Sequence, residues 1–66
     1  MEYEDFLKLV EFFANEKIGA FLINYTTNHS IERVNIVSGI YLMKEYDLVL
    51  GLTSDKEVAF NWIMGN

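Results

Sequence analysis

Apolar side chains recur at three- and four-residue spacing along the first segment. Tyr3, Phe6, Leu7, Val10, Phe13 and Ala14 fall on one stripe, which predicts an amphipathic helix over residues 3–17. Glu2, Glu4 and Asp5 crowd its first turn and Lys17 its last, as the helix dipole favours. Gly19 supplies the stop. Leu9 lies on the flank of the stripe and Phe12 almost opposite it.

The period then changes. Gly19 to Tyr25 (GAFLINY) is rich in strand formers and runs into the polar cluster Thr26 to Ser30 (TTNHS). It reads as a strand followed by a turn, with Asn28 suited to left-handed geometry. From Ile31 to Lys44 two patterns compete. A helix would have Ser30 as its cap, but its apolar residues would spread around the whole circumference. As a strand, Val34, Ile36, Ile40 and Leu42 share one face by period two, and the β-branched content is high. The strand is preferred, bent or bulged at Ser38-Gly39.

Lys44 to Asp47 (KEYD) reads as a tight connection, and Leu48 to Leu52 (LVLGL) as a third strand with its leucines on one face. Ser54-Asp55-Lys56-Glu57 has the spacing of a capping box. A short helix follows, with Val58, Ala59, Trp62 and Ile63 on one stripe, Phe60 off it, Met64 near its edge and Gly65 ending it. The expectation is a single small α+β domain over residues 1–66. Its order is α-β-β-β-α, an antiparallel three-stranded meander with two helices on one face. The alternative makes 31–45 a helix and gives α-β-α-β-α. It ranks second because two parallel strands would be poorly buried.

Composition sharpens this picture. The chain has 66 residues, 52% of them hydrophobic, and ten acidic side chains against five basic ones, a net charge of −5. So short a chain hides only ~60% of its unfolded surface, and it has no cysteine for disulfides or thiolate metal sites. Good packing or self-association must compensate. The N-terminal segment MEYEDFLKLVEFF is acidic where a signal peptide would be basic, and no run approaches a membrane span. A cytoplasmic location is therefore expected, without a membrane partner. The five cations are scattered, which argues against direct contact with nucleic acid.

Chemistry-bearing constellations are sparse. His29 sits in a predicted polar turn, where a structural or solvated role is the default. The carboxylates cluster at helix termini and turns rather than as a buried acid/base pair. Neither a Ca²⁺ loop nor a glycine-rich phosphate loop is present. No catalytic residue, metal or cofactor is expected.

What remains is surface. Phe12 and Phe60 lie off their helical stripes, and Val37, Tyr41 and Met43 are placed on the sheet face that the helices leave bare. Those five residues form the expected apolar interface. Glu4, Asp5, Glu11 and Glu16 make the first helix distinctly negative. The functional expectation is a non-enzymatic protein–protein interaction module. It would self-associate into a homo-oligomer and act as a small accessory or inhibitory protein on a larger protein partner. Small proteins of phages and mobile elements have this character, an analogy of size and composition alone. The alternative is an acidic, DNA-mimicking inhibitor of a nucleic-acid-binding protein, acting through the four carboxylates.

Overall fold

A computed structural model of the chain describes residues 1–14, 19, 21–35 and 39–65, with backbone alone at positions 13, 14, 21 and 35. The order is α1 (Tyr3–Ala14), β1 (Phe21–Asn24), β2 (His29–Asn35), β3 (Ile40–Glu45), β4 (Leu48–Thr53) and α2 (Lys56–Ile63). The strands form one antiparallel sheet in the order β1-β2-β3-β4. The α+β class holds, and the meander has four strands rather than three.

The extra strand comes from the run expected to be one strand over 31–44. It is a hairpin. Asn35 pairs with Ile40, and Gly39 takes the left-handed conformation (φ 64°) that glycine adopts without strain. The chain therefore reverses where a bend was expected. At the next hairpin Tyr46 and Asp47 make the turn, with Tyr46 at φ 52°. Asn28 closes the first hairpin at φ 60°, as its side chain suits.

Both helices pack on one face. Phe6 and Val10 of α1, Ala59 and Ile63 of α2, and Ile31 and Tyr41 of the sheet form one buried cluster. Phe60, expected outside the α2 stripe, packs edge-to-face on Tyr3 and Phe6 at centroid distances of 5.2 and 5.3 Å. Val58, expected inside it, is exposed. An eight-residue helix covered by a second helix uses more of its circumference than a single stripe describes. Asp55, not Ser54, caps α2, accepting from the amides of Glu57 and Val58 at 2.8 and 3.4 Å.

The register settles which side of each strand faces the helices. Leu22 pairs with Ile31, Ile31 with Met43, Arg33 with Tyr41, and Tyr41 with Thr53. These residues share the covered face. Ile23, Ser30, Glu32, Leu42, Lys44, Val49 and Leu52, one step out of phase, share the other. Nothing in the described chain packs a helix there.

Candidate functional site

On the covered face, β2 and α2 build a closed polar cluster. The ring of His29 stacks on Trp62 at 3.8 Å with planes 9° apart. Its Nδ1 lies 2.7 Å from the Trp62 carbonyl oxygen and its Nε2 3.0 Å from Glu45 Oε2. The Trp62 indole N–H donates to the carbonyls of Ser30 and Lys44, both at 3.1 Å. Asn24 Nδ2 donates to the Ile63 carbonyl at 2.9 Å. Carbonyls at the end of α2, which have no partner within the helix, are thereby satisfied from the first hairpin. Both nitrogens of His29 are engaged and its ring is stacked, so it fastens helix to sheet and offers no free base to a substrate.

Tyr41 belongs to the same face. It is 6% exposed, beside the buried Arg33. Burial pushes its phenol above the usual range, and the Arg33 guanidinium pulls it partly back. The native state thus holds this proton more tightly than the unfolded chain, whose phenol titrates at about 10. The resulting stability is fully present below that pH and is lost as pH rises through the folded-state value. In a pH series of thermal unfolding, Tyr41→Phe is expected to flatten this alkaline decline. An identical slope in variant and parent would remove Tyr41 from the account.

The bare face divides into a polar and an apolar half. Ile23, Ser30, Glu32, Lys44, Tyr46 and Asp47 line a hollow of about 230 Å³. Lys44 Nζ lies 3.4 Å from Glu32 Oε1 within it, and Tyr46 accepts from Asn28 Nδ2 at 3.0 Å. It holds an ion pair and hydroxyls but no histidine or cysteine. Among the described residues no group of three or more His, Asp or Glu is placed to hold a metal ion, and no helix is long and apolar enough to cross a membrane.

The apolar half is β4, an edge strand of the sheet. Leu48 is 63% exposed, Val49 49%, Leu50 53% and Leu52 61%. Val49 and Leu52 lie on the bare face and Leu48, opposite Glu45, on the other, so the exposed apolar side chains wrap around the strand edge rather than lying on one face. Such a concentration on one strand marks an interaction surface. Edge strands are usually guarded by lysine, proline or an inward charge, and LVLGLT contains none of these. One blunting feature exists. The β3–β4 register shifts between Met43 and Lys44, leaving Leu50 as the extra residue of a bulge.

The expected interface residues scatter. Phe12 is 60% exposed on α1, away from the strand edge in sequence and in element. Tyr41 and Met43 lie on the helix-covered face, with Met43 packed against the core, and Phe60 is packed there too. This corrects their placement on the bare face. The alternation of β3 is apolar on both sides, and α2 selects the side that is covered. Val37 and Glu16 lie outside the described residues. Glu4, Asp5 and Glu11 are exposed on α1. The leucines of β4 were expected on one face, but the bulge at Leu50 sets Leu48, opposite Glu45, and Leu52, opposite Leu42, on opposite faces of the sheet. Comparison of the chain with family models, curated proteins and solved structures returns no match.

Proposed function

We propose that this protein is a non-enzymatic protein–protein interaction module, which self-associates and acts as an accessory or inhibitory protein on a larger partner. The uncharged, exposed edge strand β4 carries this reading. The covered face is occupied by a closed core and a satisfied polar cluster, so docking falls to the side the helices leave bare. Sedimentation equilibrium of the full chain is expected to show reversible association at micromolar concentration. Leu52→Lys should abolish it without altering the far-UV circular dichroism. A clean monomer at the highest soluble concentration would remove self-association from the proposal.

The acidic alternative rests on Glu4, Asp5 and Glu11, exposed along one helix. It predicts partner binding that weakens steeply with salt. Apolar docking between two acidic bodies predicts the opposite, since salt screens their mutual repulsion. The sign of the salt effect therefore separates the two readings.

A further inference from the structure

We propose that a second copy of this chain occupies β4, pairing antiparallel about a two-fold axis so that the two sheets run together as one. The inference rests on the self-association just proposed and specifies its geometry.

The backbone carries the argument. The Tyr46 amide donates to the Asn28 carbonyl at 2.9 Å, so this residue turns its backbone groups toward β2. In an antiparallel ladder that direction alternates along a strand. Lys44 and Leu42 therefore also address β2, whereas Glu45, Met43 and Tyr41 address β4. Val49 lies opposite Lys44 and Leu52 opposite Leu42. Their N–H and C=O groups consequently point out of the sheet edge, and the bulged Leu50 lies between them.

Antiparallel apposition about an axis between Leu50 and Gly51 sets Val49 of each copy against Leu52 of the other. Every outward donor then meets an outward acceptor in both directions. The bulge lies between the two pairing residues on each strand, so both copies offer the same spacing. The side chains agree with the backbone. Val49 and Leu52 share the bare face, so each forms a cross-strand apolar pair with the partner's residue. They extend the stripe begun by Leu42.

The uncharged strand permits the same occupant, and the area bounds its strength. The chain carries −5, and two copies repel wherever their acids meet. Along β4 they meet no charge, and only Asp47 and Asp55 flank the strand. A standard interface covers ~800 Å² per partner, nearly a fifth of the 4402 Å² surface of this protein. A single paired strand falls below that, which places this contact among transient dimers rather than obligate ones.

The chain has no cysteine, so single cysteines report the register cleanly. Val49→Cys and Leu52→Cys are prepared separately, mixed and oxidised. Directly paired residues lie about 5.5 Å apart at Cα, within disulfide reach, and like positions on the two strands lie well beyond it. The mixed disulfide dimer is expected to exceed both like-with-like dimers by at least about tenfold. In parallel, Val49→Pro removes an outward donor without taking a bond from β3, so the monomer should keep its fold. Its dimer dissociation constant should rise at least about tenfold. Association without preferential mixed cross-linking, or association indifferent to Val49→Pro, overturns this geometry and leaves the interaction reading standing. A wild-type chain that never associates overturns both.

Discussion

Phe6→Ala is expected to lower stability by about 3–5 kcal/mol, the range for truncating a buried aromatic side chain. A domain of this size has roughly 3–10 kcal/mol in total, so the variant should be largely unfolded under mild denaturant, if not in water. Phe6 is fully buried and joins the two helices. Its ring stacks on Tyr3 at 6.3 Å and meets Phe60 edge-on at 5.3 Å. Below it lies the cluster that includes Ile31 and Ile63. Removing the ring opens a cavity at the junction of α1, α2 and the sheet. Urea unfolding followed by far-UV circular dichroism measures the effect. Phe6→Leu, which retains most of the volume, should lose less than half as much. A midpoint for Phe6→Ala within error of the parent would show that α1 is not held by this ring.

The second large effect is expected at Trp62. Trp62→Ala should cost about 3–5 kcal/mol and Trp62→Phe about 1–3 kcal/mol. Phenylalanine preserves an aromatic surface against His29 but supplies no N–H to the carbonyls of Ser30 and Lys44. Those carbonyls belong to adjacent strands, so the indole ties α2 to two strands at once. The difference between the two variants thus separates packing from hydrogen bonding. Denaturant unfolding by circular dichroism suits both, since each removes the protein's only tryptophan. A neutral Trp62→Phe would mean that the indole hydrogen bonds add nothing net to stability.

The two sites were unequally legible in the chain. Phe6 lies at the centre of a helical stripe, and its burial follows from periodicity. The role of Trp62 does not. Its partners Ser30, Lys44 and His29 are distant in sequence, and its ring could have been covered by any strand. His29 was read as structural or solvated. The structure places it at the start of β2, engaged at both ring nitrogens. The turn chemistry was clearer, because Asn28, Gly39 and Gly65 all adopt positive φ, open to glycine because it lacks a Cβ and to asparagine through its short polar side chain.

The β3 segment shows where pattern reading stops. Ile40 and Leu42 alternate with Tyr41 and Met43, so both faces are apolar and period two is satisfied either way. The reversal at Gly39 was masked for the same reason, since β-branched residues continue through it without an Asn-Gly or proline signal.

By itself, the sequence determined two amphipathic helices flanking β structure, the helix faces at Phe6, Val10, Ala59 and Ile63, and an acidic surface on the first helix. Local periodicity and capping carry that information, because each depends on residues a few positions apart. Tertiary structure alone decided that four strands form the sheet, that Tyr41 and Met43 face the helices, and that β4 is left as an uncharged apolar edge. Those outcomes depend on which strand each helix covers. A helix can cover only one face of a sheet, and among the described residues the opposite face is left without a helix.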